Sequence, residues 1–296
     1  MHRIASPAHN VQIITVCTLA AYGEEDHPDH GLDGRYREGS GISPGRTGPS
    51  HPDPRHRDRA KGRAVLEEVE AAAVPEQPAL FIADLSVQDR VRDLAEEVAG
   101  ACDRLDVLIN NAGVFMPERH VAPGGIEMTF AVNYLAGLLL THGLLPLLSK
   151  SAPARVVNVA SIAHRSVRAV DWENIPAFED YDAYGAYATS KLGVAACTAR
   201  LASVLDGTGV TANSLHPGVI DTKLLRAYTG GRDGGAPPEK GAAVEAHLAT
   251  SPDAGEVSGR YFEATRWTRP SPLALDADVQ ERFWEMGLDL VGVDRW

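Results

Sequence analysis

From about Arg59 to the C-terminus, short apolar runs alternate with longer stretches of helical periodicity. Pro78–Leu85 (PALFIADL), Asp106–Asn110 (DVLIN), Arg155–Ser161 (RVVNVAS), Val210–Leu215 (VTANSL) and Gly259–Glu263 (GRYFE) read as strands. Ala60–Ala73, Val87–Leu105, Glu127–Leu148, Ala186–Leu205 and Glu239–Leu248 read as helices, with Val65, Leu66 and Val69 sharing one face of the first. A strand that rejoins its sheet through a helix does so by a right-handed crossover, which gives a parallel sheet covered on both faces. The pattern predicts an α/β fold with one Rossmann-type, doubly wound parallel sheet. A length of 296 residues suits a single large domain over 1–296. In such sheets ligands bind beyond the carboxyl ends of the strands, so residues just after strands are the first candidates for chemistry.

The N-terminal part breaks the rhythm. Val11–Leu19 (VQIITVCTL) fits a first strand, yet between Tyr22 and Val65 the only large aliphatic residues are Leu32 and Ile42. Such a stretch cannot bury enough apolar surface to offset chain entropy, so 22–56 is expected to be polar and either disordered or an irregular coat. His27, Asp29 and His30 within it read as solvated polar residues, and no metal site is expected. Lys and Arg total 28 against 40 Asp and Glu, a formal charge of −12 that lacks the basic footprint nucleic acid requires. Cys17, Cys102 and Cys197 are scattered, which fits a reducing, cytoplasmic setting. Val11–Tyr22 is shorter than the ~20 apolar residues of a membrane span, and Leu135–Leu148 carries His142 and Pro146 and reads as a buried helix. No membrane partner is expected.

Five groups of residues carry chemistry. Asn110-Asn111-Ala112-Gly113 follows a strand, where a small residue lets the backbone approach a flat ligand and Asn side chains tie strands together. Tyr187 and Lys191, at i and i+4 of a helix, stack a phenol and an ammonium on one face. A nearby cation lowers a phenol's pKa from near 10, giving a general acid/base, although the same spacing also suits a surface pair. Ser161 ends a strand, where a hydroxyl can stabilise a developing alkoxide. Asn133 lies inside an apolar helix, so its amide needs backbone or an ordered water as partner. Pro217-Gly218 and Thr222 follow the VTANSL strand, placed to clamp a ligand from the far side.

Together, in this order, Asp84-Leu85, NNAG at 110–113, Asn133, Ser161, Tyr187/Lys191, Pro217-Gly218 and Thr222 resemble the short-chain dehydrogenase/reductase family. The likeness runs from near Arg57 to the C-terminus, and VVNVASIAH, DWENI and GRYFE are most similar to its bacterial retinol-dehydrogenase-like reductases. The resemblance implies an oxidoreductase in which Tyr187 gives a proton to a carbonyl oxygen while NADPH delivers a hydride to its carbon. Ser161 would hold that oxygen. Lys191 would lower the tyrosine pKa and bind the nicotinamide ribose, with Asn133 anchoring a water that relays protons to it. Asp84, Leu85, Asn111, Ala112 and Gly113 would line the adenosine side, and Pro217, Gly218 and Thr222 would face the nicotinamide carboxamide. Arg57 sits where an arginine can pair with a 2′-phosphate, favouring NADP over NAD. The substrate implied is a small apolar carbonyl or alcohol, and the face Leu135–Leu148 would permit a homodimer.

One departure matters. Family members open with T-G-x-x-x-G-x-G, whose amides meet the pyrophosphate at a helix N-terminus; here AAYGEEDHPDH follows the first apolar run. A catalytically impaired relative acting as a binding or scaffold protein is therefore the competing reading. The preserved length with substituted composition suggests a reading-frame slip between about residue 20 and Arg57. Translating the source DNA in its other frames should reveal a glycine-rich strand–turn–helix, and finding none would end that explanation. Without the pyrophosphate cradle the chain should bind cofactor weakly and be marginally stable. Titrating NADPH while following nicotinamide fluorescence should give a Kd weaker than micromolar; a tighter one would contradict the loss of the cradle.

Overall fold

The computed structural model describes residues 13–16, 67, 79–294 and 296. Two compact units divide the chain, one of 1–18 with 83–296 and the other of 19–82. The first unit holds every element described below. The expected helix 60–73, apart from Glu67, lies outside the described residues, as do Arg57, the 22–56 coat, and His27, Asp29 and His30 within it.

In chain order the elements are β1 Ile13–Val16, α1 Gln88–Ala101, β2 Val107–Asn110, α2 Met128–Lys150, β3 Ala154–Val159, a 3-10 segment Ile162–Ser166, and α3 Ala183–Val204. There follow β4 Val210–His216, α4 Lys223–Thr229, α5 Pro238–Thr250, α6 Pro252–Gly255, β5 Tyr261–Glu263, β6 Arg266–Trp267, α7 Pro272–Leu275 and α8 Ala277–Val291. Among the described residues these strands make one sheet in the order β1-β2-β3-β4-β5-β6, parallel except for the β5–β6 pair. The Rossmann-type parallel sheet is thus present, with the first strand in register against β2.

Alternation along the strands sorts side chains onto two faces. Val107, Ile109, Val157, Val159 and Leu215 point to the face covered by Val244, Leu248 and Ala249 of α5. Asn110 and Asn158 point to the opposite face, where they bond Thr141 of α2 and Thr198 of α3. Arg155 of β3 reaches the last carbonyls of α5, Leu248 (3.0 Å), and of its cap, Ser251 (2.7 Å), and so fixes that helix end to the sheet.

One expectation needs correction. Pro78–Leu85 forms no strand: residues 79–84 have no ladder partner among the described residues, and an apolar run becomes a strand only beside one. Along Leu135–Leu148, the side chains of Leu138, Leu139, Leu140, Leu144, Leu147 and Leu148 are all buried within the chain. This helix is long and apolar enough to cross a membrane, but it packs as the core helix of the protein. Finally, α8 lies across α2 and α3, an element the sequence reading did not assign. Tyr134 of α2 donates to the Phe283 carbonyl of α8 at 2.6 Å, and Phe283 is fully buried.

Gly287 sets how closely α8 approaches. A Cβ there would overlap the Tyr134 hydroxyl and lie 2.6 Å from Leu138 Cδ2. Gly287→Val should therefore destabilise the fold by ~1–3 kcal/mol through overpacking, read as a lower urea midpoint at unchanged slope. An unchanged midpoint would mean that α8 does not seat on α2.

Candidate active site

Strands β2, β3 and β4 end side by side, and the segments leaving them build the cleft. Asn110, the last residue of β2, donates to Asn158 Oδ1 across the β2–β3 pair at 2.8 Å and to Thr141 at 2.9 Å. The Asn tie expected from the sequence is therefore present, and it fixes where Asn111, Ala112 and Gly113 begin. Gly113 is a glycine for a local reason: a Cβ there would stand 3.4 Å from Asn133 Oδ1, 3.5 Å from Lys191 Nζ and 3.6 Å from Leu224 Cδ1. Three site elements thus converge on the space a side chain would fill.

Asn133 lies in a π-helical turn, Ala131–Leu135, inside α2. Such turns rotate one side chain out of the ordinary helical ladder and recur at functional sites. The amide oxygen accepts from the Val114 N–H at 2.7 Å, and its NH2 donates to the Val114 carbonyl (3.0 Å) and to Ser190 Oγ (3.1 Å). Backbone is its main partner, so the buried amide joins the segment after β2 to α3.

Ser161 caps the 3-10 segment after β3, with its Oγ accepting from the Ala163 N–H at 3.2 Å. Its side chain also acts on that of Tyr187 on α3, drawing the phenol's pKa down. One turn further along α3, Lys191 is only 3 % exposed. Its ammonium donates to the Val159 carbonyl at 2.8 Å and sits 5.9 Å from the centroid of the Tyr187 ring. Ser161, Tyr187 and Lys191 therefore share one crevice.

The electrostatics differ from the expectation in one respect. Burial raises the Tyr187 phenol above its ordinary 10, and it is the Ser161 hydrogen bond that pulls it down. Lys191 is itself pushed down to about 8 by burial, because desolvation disfavours the charged amine. In this arrangement Tyr187 stays protonated at neutral pH and is poised as a proton donor.

The remaining predicted residues lie around this centre. Leu85 is buried and shares a small cleft with Asn110, Ala112, Val132 and Asn133. Asp84 is exposed, with one carboxylate oxygen accepting from the amide and hydroxyl of Ser86. Gly218 adopts φ +104°, a turn suited to glycine, and Thr222 caps α4 by accepting from the Leu225 N–H. Helix α4 brings Leu224 to Gly113 and Tyr228 to Phe115, whose ring meets Tyr187 edge-on at 5.8 Å. Phe115, Tyr228 and the Val159 carbonyl were not foreseen. A carbonyl leaves no trace in residue type, and Phe115 and Tyr228 lie in segments without periodicity.

A nicotinamide nucleotide fits the inner half of this cleft: Gly113 leaves space beside a buried ammonium whose other N–H groups remain to donate. The outer half, where a pyrophosphate would meet a glycine-rich turn, has no such turn among the described residues.

The short chain dehydrogenase family model matches residues 55–232, more than half of the chain. Retinol dehydrogenase 13 of Mus musculus is 38 % identical over 224 residues, covering 71 % of this chain and 67 % of that protein. Retinol dehydrogenase 12 of Bos taurus is 34 % identical over 247 residues, covering 81 % and 78 %. The solved structure of the 3-alpha-hydroxysteroid dehydrogenase from Pseudomonas sp. B-0831, complexed with NADH, superposes with a TM-score of 0.56 at 27 % identity, over 68 % of this chain and 89 % of that one. Sequence, fold and site thus agree: the chain belongs to the short-chain dehydrogenase/reductase family, as a retinol-dehydrogenase-like, NAD(P)-dependent oxidoreductase.

Proposed function

We propose that the chain interconverts a small apolar carbonyl compound and its alcohol with NADP as cofactor, using Tyr187 as general acid/base. The observation that carries this reading is the crevice in which a phenol, its pKa drawn down by a serine hydroxyl, stands beside a buried ammonium. The bound nicotinamide supplies or takes up the hydride. Tyr187 gives its proton to the carbonyl oxygen as that oxygen becomes an alkoxide, and recovers it in the reverse direction. The Ser161 hydroxyl turns its one proton to the same oxygen and stabilises its charge as it develops. Lys191 favours the phenolate that Tyr187 leaves behind and offers N–H groups to the cofactor ribose. The place of a Cβ on Gly113 lies within 3.5 Å of both Asn133 Oδ1 and Lys191 Nζ, which supports a water held between them to return protons. The aromatic rings of Phe115, Tyr184 and Tyr228, with Leu224, support an apolar guest. Arg57 is the reason for preferring NADP, and the free thiols of Cys102 and Cys197 support a reducing, cytoplasmic setting.

Tyr187→Phe should lower turnover about 10²- to 10⁴-fold while far-ultraviolet circular dichroism stays the same. Full turnover would remove Tyr187 from the chemistry, and a scaffold protein would keep its partner binding in this variant. The raised phenol pKa also fixes the sign of the pH dependence. Carbonyl reduction needs the protonated phenol, so its rate should hold through neutral pH and fall in alkali. Alcohol oxidation needs the phenolate and should rise with pH over the same range. Opposite slopes would assign the proton to another group.

A further inference from the structure

His164 is the fourth residue of a short run that begins at Ser161, and no part of its side chain reaches solvent. Both ring nitrogens are engaged. Nδ1 lies 2.6 Å from the Ser161 carbonyl oxygen, and Nε2 lies 3.0 Å from the backbone N of Ser271, the cap of α7. An amide N–H can only donate, so Nε2 must be the acceptor, and the proton belongs on Nδ1, which donates to Ser161. One neutral tautomer satisfies both bonds. The ring is packed edge-on against Tyr261 at 4.8 Å, with Arg165 paired to Glu263 alongside, so it has no alternative orientation to relax into.

The consequence falls on Ser161. Its carbonyl oxygen accepts from the backbone N–H of His164 (3.2 Å) as well as from the ring, and its Oγ accepts from the Ala163 N–H. The peptide group and the hydroxyl of Ser161 are thus both held, and it is this hydroxyl that acts on the Tyr187 phenol.

We propose that His164 is a positioning residue for Ser161: its Nδ1–H locks the junction between β3 and the 3-10 segment, and its Nε2 ties that junction to the C-terminal segment at Ser271. The inference rests on the reading of Ser161 and Tyr187 as the proton-transfer pair, but it concerns how that pair is held.

Two variants separate positioning from stability, because each keeps one bond. In His164→Asn the amide NH2 takes the place of Nδ1 and still donates to Ser161, while Ser271 loses its acceptor. In His164→Gln the longer side chain still accepts from Ser271, while the Ser161 carbonyl loses its side-chain donor and keeps only the backbone one. The readout is the ¹³Cζ resonance of Tyr187 in tyrosine-labelled protein, identified by its disappearance in Tyr187→Phe, with its pH titration and the urea midpoint of each variant. In His164→Gln the Tyr187 resonance should shift and its titration move to higher pH as the Ser161 bond loosens. In His164→Asn both should stay at wild-type values even where the urea midpoint falls as far. With saturating cofactor, kcat should fall in the Gln variant and be rescued in the Asn variant, with KM changing less than kcat. If the two variants shift Tyr187 equally, or neither shifts it, His164 has a structural role only and the proposal is overturned. Failure of the oxidoreductase reading would appear separately, as wild-type turnover insensitive to Tyr187→Phe, and would leave the resonance shifts intact.

Discussion

An ammonium group taken out of water is destabilising unless the protein replaces its hydration. Lys191 is nearly buried, and the bond it makes runs to the main-chain carbonyl of Val159 at the end of β3. That one donation makes the rest of the site dependent on the sheet. If β3 moved by a residue relative to its neighbours, Lys191 would lose its acceptor, Ser161 would leave the phenol, and Asn158 would no longer meet Asn110. Register is strongly specified here because both faces of the sheet are covered, so a slip would turn each buried face inside out. The position of the chemistry follows from the packing of Val107, Ile109, Val157 and Val159 under α5.

The same burial explains an inversion of the simplest charge argument. A phenol beside an amine one helical turn away is expected to be acidic, yet Tyr187 is raised, because removing phenolate from water outweighs the lowering by the Ser161 hydrogen bond. The amine suffers in the same way and becomes a weaker base. Both groups therefore come to rest in uncharged or weakly held charged forms that change easily once a third charge, such as a forming alkoxide, enters the crevice. Ser161 is the neighbour that draws the phenol's pKa down, which makes its orientation decisive. The buried imidazole behind it and the Asn133 amide beside it hold two sides of the same junction.

Much of this was legible in the residues. Val107–Asn110, Ala154–Val159 and Val210–His216 fall within a residue or two of the runs read as strands, because continuous apolar stretches bounded by polar residues have few other uses. Ser161, Tyr187 and Lys191 were assigned from type and spacing, and they meet. Pro78–Leu85 has the composition of a strand, but residues 79–84 have no ladder partner among the described residues, a property of tertiary context that composition does not carry. Helix α8 was legible but unread: Phe283, Trp284, Gly287, Leu288 and Val291 lie on one helical stripe behind the Asp276 cap. The acceptor of Lys191 was beyond reach, since every residue has a carbonyl and only the fold selects Val159.

The central claim is that Lys191 is a desolvated ammonium held by a single strand end. Nitrogen-15 NMR of the lysine side chains, with the Lys191 signal identified by its loss in Lys191→Met, measures this directly. The account predicts a midpoint near about 8 for that signal. Titration at the ordinary lysine value of 10.5 would mean that the amine is solvated and that the crevice described here does not form.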